Sequence, residues 1–397
     1  MPYIYPADIL LPKNIKDNWA VIACDQFTSE KKYWDDVKEQ VGSDVSTYNL
    51  ILPEIFLEDN ADERIKNINA TMSDYIENDV FDEYKDSMMF VSRLQDNGVR
   101  LDGIVCAISL SDYEYTQTSN ALVRASEKTV IERIPARINI RKDAPLEFPH
   151  ILLLVDDEKM SVVEPVADKK DELKKVYDLK LMLGGGSVQG YLLDKDMQTK
   201  IESALGDILN SREDNLLFAV GDGNHSLASA KECAALSNSE NAQYALVEIV
   251  NIHSDAIQFE PIYRVLFGCE SQQLLDAFTQ YAKDGDAKNP QKFTVVCAGK
   301  TQEISIPAKH TLPVGSLQVF LDEYLLAHPE IKIDYIHGED SLKELCKSDD
   351  TVGFLFEGMK KQDFFASISA DGSLPRKTFS LGHAQDKRYY VEGRKIK

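Results

Sequence analysis

The sequence predicts an interwoven mixed α/β fold, with several short sheets and a central strand–Gly-rich loop–helix site. Three observations carry that expectation. Short apolar runs of strand length alternate with segments whose apolar residues recur at helical spacing. The run Leu216-Leu-Phe-Ala-Val-Gly-Asp-Gly-Asn-His-Ser226 passes from an apolar stretch through a polar, Gly-rich turn into the helix formers of residues 226–235. No repeat, low-complexity block or Gly/Ser linker divides the 397 residues. A chain this long buries a large core, and it is read as three interdependent regions, 1–150, 151–270 and 271–397.

The elements follow in order. Residues 19–24 form a short strand, and Ser29 caps a helix carrying Tyr33, Trp34 and Val37. In residues 61–77, Ile65, Ile68, Met72, Tyr75 and Ile76 make one apolar helix face, with Asn78 as the stop. Residues 88–91, 101–110 and 151–155 are strands, and 124–133 is either a helix or a structured site loop. Residues 171–177 read as helix-rich, leading through 179–183 to the glycine run 184–186 and a strand at 191–193. Residues 202–209, 273–281 and 317–326 are helices; 243–252, 259–267 and 332–335 are strands. Residues 352–356 and 364–368 frame a late antiparallel pair.

Charge and composition exclude several classes. With 66 acidic residues against 44 Lys and Arg, the net charge of -22 speaks against a nucleic-acid partner. A local basic pocket for one small phosphate remains compatible with that balance. The cysteines Cys24, Cys106, Cys233, Cys269, Cys297 and Cys346 lie scattered without metal or redox spacing, as in reduced proteins of the cytosol. No apolar run is long enough to cross a membrane, and the start of the chain reads as no leader, so a cytoplasmic protein is expected. GxSxG, HExxH and GxxxxGK[ST] patterns are absent, and His150, His225 and His253 are too far apart in sequence to define a zinc site.

The chemistry-bearing residues gather around the central turn. A helix start offers backbone N–H groups and a partial positive charge, so residues Gly223 to Ser226 suit a phosphate. Asn224 can donate to that ligand, His225 can orient it or move a proton, and Asp222 can meet a hydrated divalent ion. The plainer alternative makes Ser226 an N-cap and the turn merely structural. Asp25 is a general-base or metal-contact candidate, or else a turn acceptor; Glu54 is a second base candidate, or else a solvated loop carboxylate. Arg124 can grip a carboxylate or phosphate with Glu127 orienting it or a substrate amine, or the two form an internal ion pair or a helix surface. Arg264 is a ligand contact or a structural salt-bridge partner. Arg133 and Arg137 continue the basic character, partly offset by Glu132, and His150 reads as a core or edge histidine. Arg376, Lys377, Thr378 and His383 either close over the ligand or stabilise terminal strands.

Several ordered stretches resemble domain-of-unknown-function family 1015: residues 23–30 with Tyr33-Trp34, residues 51–54, Arg124-Ala-Ser-Glu127, Glu147-Phe-Pro-His150, the central Gly221 to Ser226 run, residues 374–379 and Gly382-His383. The central turn also resembles the ParB–sulfiredoxin type of site, in which such a loop receives nucleotide phosphates. That wider set includes a free-serine kinase, and members of the family often accompany serine-biosynthesis genes. The resemblance implies nucleotide-dependent phosphoryl transfer to serine or another small hydroxy metabolite, with ATP or ADP and Mg²⁺ and a serine-pathway protein as partner. Related runs often carry His at Asn224 and Arg at Ser226. Without that Arg, the cation must come from Arg124, Lys128 or Arg264, or the chain is a non-enzymatic module binding a nucleotide or phosphometabolite.

Overall fold

The computed structural model describes residues 2–129 and 134–397, so Glu132 and Arg133 lie outside the described residues. Its centre is a nine-stranded mixed sheet, in the order Lys174–Lys180, Ser187–Leu192, Met89–Leu94, Arg100–Ser109, Tyr244–Asn251, Leu152–Val155, Phe218–Asp222, Val123–Arg124 and Tyr113–Glu114. The first five strands pair antiparallel; Tyr244–Asn251 runs parallel to Leu152–Val155. Strand Phe218–Asp222 is antiparallel to Leu152–Val155 and parallel to Val123–Arg124. On adjacent central strands, Ile249, Leu153 and Val220 are fully buried, as expected where both sheet faces are covered.

One face packs against Trp19, Trp34, Ile68 and Met72 from the N-terminal layer, including the helices Lys31–Val41 and Ala61–Glu77. The other face takes the helices Lys195–Asn210 and Asn224–Ala235. A third core joins this sheet, through Leu152, Leu154 and Ala219, to a six-stranded antiparallel sheet, through Leu266, Val295 and Phe354. That second sheet runs Lys300–Ala308, Asp286–Cys297, Thr351–Phe356, Phe259–Phe267 and Lys332–His337, with Phe379–Leu381 added beside residues 259–261. The mixed, interwoven architecture is therefore as predicted, and the helix at 61–77 is found at its predicted bounds.

The C-terminal tail sews the layers together. Tyr389–Tyr390 pairs with Val21–Ile22, and Arg394–Lys395 pairs with Leu146–Glu147. Beneath the tail runs a buried ion-pair seam: Glu248 accepts from Arg93 Nη2 at 3.0 Å and from Arg388 Nε at 2.6 Å, and Arg388 Nη2 reaches Glu392 at 2.8 Å. Gly103 makes room for it, since a Cβ there would lie 2.6 Å from Glu248 Oε1.

Several elements differ from expectation. Residues 171–177 are not helix-rich; a turn at Lys170–Glu172 leads into the strand Lys174–Lys180, where buried Tyr177 and Leu179 alternate with exposed Asp178 and Lys180. Residues 364–368 are not a strand but part of the helix Lys361–Asp371, with Phe364, Phe365 and Ile368 turned inward at helical spacing. A short apolar run fits either period, and here tertiary packing chose. The strand expected at 19–24 shrinks to Val21–Ile22, and the first helix starts at Lys31 with no side-chain cap from Ser29. The hairpin Asp286–Cys297 and Lys300–Ala308 was not foreseen; its two-residue turn places Ala298 at φ 50 and Gly299 at φ 68, the positive values a tight hairpin needs.

Candidate functional site

The strand Phe218–Asp222 ends at the central turn, and the helix Asn224–Ala235 begins immediately after Gly223. Gly223 holds φ +84, and a Cβ there would come within 3.0 Å of the Ile151 backbone, so both conformation and space call for glycine. Ser226 is therefore not the N-cap; it sits in the first helical turn. Such a turn presents N–H groups that lack intrahelical acceptors. Asp222 accepts from Gly223 N at 2.8 Å and lies 3.3 Å from Lys387 Nζ. Asn224 exchanges hydrogen bonds with Ser126, accepting from its N–H at 3.2 Å and donating to its hydroxyl at 3.3 Å. The His225 carbonyl accepts from the Ser229 hydroxyl at 2.7 Å.

This turn forms one wall of a cleft of about 510 Å³. Asp25, Glu127 and Arg137 come to it from the N-terminal region, and Tyr335, His337, Arg376, Lys377 and Lys387 from the C-terminal region. Five Lys or Arg residues (Lys128, Arg137, Arg376, Lys377 and Lys387) line it against three carboxylates, Asp25, Glu127 and Asp222. A cationic excess here stands out in a chain whose net charge is -22, and it focuses attraction on small anions. The His337 ring feels the excess: burial, then Lys377 and Lys387, hold it below its ordinary value.

Two carboxyls of the cleft are tuned in opposite directions. Burial pushes Asp25 up, but His150, Arg137, the Gln26 amide and Lys387 outweigh it and hold the carboxyl below its ordinary value. Glu127 is pushed up to about 7 by burial, against the pull of backbone N–H groups of residues 377–379 and of Arg264. It accepts from Lys377 N at 3.1 Å and Thr378 N at 2.8 Å, which ties the Arg376–Lys377 loop across the cleft.

Three sequence candidates lie elsewhere than expected. Arg124 does not face the cleft; its guanidinium donates to the carbonyls of Ala121 and Asp214 and to Asn120, and so closes a loop instead of gripping a ligand. Arg264 is fully buried and donates to Gln318, to the Ile262 carbonyl and to the carbonyls of Arg376 and Lys377. It thus supports the loop whose cations reach the cleft. Glu54 is not among the residues lining the cleft; it is ion-paired with Arg137, which is. Arg137 in turn donates to the Ser226 hydroxyl at 3.4 Å. A cation from another element therefore stands beside Ser226.

Sequence reasoning missed Lys387, Tyr335 and His337, which no local pattern marks. It also read His150 as a core or edge histidine. His150 is 3% exposed and bonded through Nδ1 to the Tyr390 hydroxyl at 2.8 Å, yet its ring lines the cleft. His253 pairs with Asp156 at 2.8 Å, away from the cleft. His383 caps the turn Ala384–Asp386. Among the described residues, no group of three or more His, Cys, Asp or Glu side chains is disposed to hold a metal ion. Among them too, no helix is long and apolar enough to cross a membrane.

Fold and cleft together define a mixed α/β protein with a cationic ligand cleft at a strand–turn–helix junction. The family described as "Protein of unknown function (DUF1015)" matches residues 4–324, and the chain belongs to that family. No curated protein matches the sequence. Among solved structures, the chain is similar to a free serine kinase, a glutamate-to-alanine mutant in complex with AMP. Identity is 12%, with 75% of this chain and 92% of that chain covered, at a TM-score of 0.43. It is also similar to a conserved hypothetical protein from Pyrococcus furiosus, at 12% identity, 72% and 90% coverage and a TM-score of 0.37. A third is SbnI with C-terminal truncation from Staphylococcus aureus, at 10% identity, 72% and 85% coverage and a TM-score of 0.39. Likenesses at these scores assign no activity to this chain.

Proposed function

We propose that the protein is a cytoplasmic, nucleotide-dependent phosphotransferase acting on serine or another small hydroxy metabolite. The observation that carries this reading is the cleft itself, where five cations and a helix start meet three carboxyl groups, Asp25 among them, in a chain of strongly negative net charge. In this reading the turn works as ParB–sulfiredoxin-type loops do, taking phosphates on backbone N–H groups of residues 224–226. Arg137, Lys377 and Lys387 neutralise the remaining phosphate charge. ATP or ADP is the donor.

Asp25 lines the same cleft, beside Arg137 and His150. The acceptor hydroxyl oxygen forms a bond to the terminal phosphorus as the bond from that phosphorus to its bridging oxygen breaks. The electron pair leaves with the shortened nucleotide, and the hydroxyl proton passes to Asp25. A carboxylate held below its ordinary value is a weak base, which suffices because phosphoryl transfer depends mainly on positioning and charge neutralisation. Mg²⁺ would supply further neutralisation on the phosphates. Asp222 would be the carboxylate to hold it. A serine-pathway protein is the natural supplier or consumer of the product.

The test is incubation of purified protein with ATP or ADP, Mg²⁺ and serine, then with a panel of small hydroxy metabolites, with direct detection of the phosphorylated product. Asp25→Asn is expected to lower turnover by about 10²-fold or more while nucleotide still binds. Saturable nucleotide binding without product from any acceptor would instead make the protein a non-enzymatic binding module.

A further inference from the structure

The cleft has a second compartment. Arg137, His150 and Ser226 line both the cleft and a predominantly apolar pouch of about 130 Å³ behind them. Leu52, Met72, Ile140 and Ala144 are among its walls. A space of this size suits a small group of heavy atoms. His150, shared by the two cavities, carries an unmet polar atom. His150 is 3% exposed, its Nδ1 is taken by Tyr390, and its Nε2 is buried with no hydrogen-bond partner among the described residues. That nitrogen lies 3.9 Å from Asp25 Oδ2, beyond a direct hydrogen bond. Buried polar atoms are nearly always satisfied, so an orphan beside a cavity marks where a ligand atom belongs. An apolar chamber with a few convergent polar groups at its mouth suits a molecule with a polar head and a small hydrocarbon body.

We propose that this pouch holds the side chain of the acceptor, a small hydroxy amino acid or hydroxy acid with a short apolar branch, whose hydroxyl lies between Asp25 and His150. The acceptor role rests on the phosphotransferase reading above; occupancy of the pouch is a binding property that needs no turnover. Serine would reach these two residues and leave the pouch empty. A longer homologue would fill it.

The test is calorimetric titration of a series sharing one head group: serine, threonine, 3-hydroxynorvaline and its next homologue. Burial of each added carbon is expected to tighten binding about fourfold, until the pouch is full. Ala144→Leu, which fills the pouch, should flatten the gain along the series. Leu52→Ala, which enlarges it, should extend the gain to the longest member and keeps the test open if the filled variant does not fold. A flat series in the unaltered protein, an unchanged gain in a folded Ala144→Leu variant, or no binding by any member would overturn the proposal. Phosphorylation of serine with a flat series would remove the pouch and keep the phosphotransferase. Graded binding with no turnover would do the reverse.

Discussion

Two charge clusters meet at consecutive residues of the C-terminal tail, and they are built on opposite plans. Arg388 points into the seam, where Glu248 and Glu392 match it and all three are nearly inaccessible. Its neighbour Lys387 points into the cleft, 3.3 Å from Asp222 and partly exposed. In the seam, charge is paired carboxylate to guanidinium, and its work is structural. In the cleft, cations exceed carboxylates by five to three, and the surplus is available to a ligand. The contrast teaches that exposure and balance separate a binding cluster from a holding one. The seam also fixes the tail so that Lys387 arrives where it does.

Breaking the seam is expected to have the largest effect. Glu248→Ala leaves Arg93 and Arg388 buried without their shared carboxylate, and removal of one partner from such a pair costs about 3–5 kcal/mol. Denaturant unfolding would register it, and a loss near zero would show that the seam does not hold the tail. The cleft should answer differently. Lys377→Ala and Lys387→Ala are each expected to weaken ADP binding about tenfold, in line with the 1.5–3 kcal/mol typical of a hydrogen bond to a charged group at its lower end, with little change in unfolding. Calorimetry at two salt concentrations checks both, and affinity in the unaltered protein should fall as salt rises.

The smallest expected effect sharpens the contrast within the cleft. Glu127 keeps its proton in the folded protein up to about pH 7, against an ordinary value of 4.5. Folding therefore binds a proton across that window. The stability it contributes is fully present below pH 4.5 and is lost as the pH rises through about 7. Asp25 is lowered, so its contribution is present above its ordinary value of 3.8 and is lost as the pH falls. Unfolding midpoints followed across this range should show Glu127→Gln losing less stability than the unaltered protein on the alkaline side. Parallel curves for the two proteins would contradict the raised Glu127.

What the sequence disclosed depended on how local each signal was. The helix at 61–77 carries five apolar residues on one face and a clear stop at Asn78, so its bounds were legible. The Gly221 to Ser226 turn was equally plain, because glycine spacing and the change of period are local facts. Residues 364–368 were not, since a five-residue apolar run fits both periods, and only the packing of Phe364 and Ile368 decides. Arg124 and Arg264 were named for their charge, but carbonyl oxygens distant in sequence claim both guanidinium groups. Lys387 and Tyr335 could not be found from their neighbours. Lys387 reaches the cleft through a tail anchored on Val21–Ile22, and Tyr335 stacks under Arg264 from a strand of the second sheet.

The most direct test of the cleft as a phosphate site is a crystal structure of the unaltered protein with ADP at saturating concentration. Phosphate oxygens should lie about 3 Å from the backbone N–H groups at the start of the helix Asn224–Ala235, with Arg137 and Lys387 against them. Nucleotide bound in any other cavity, or none bound at all, would contradict it.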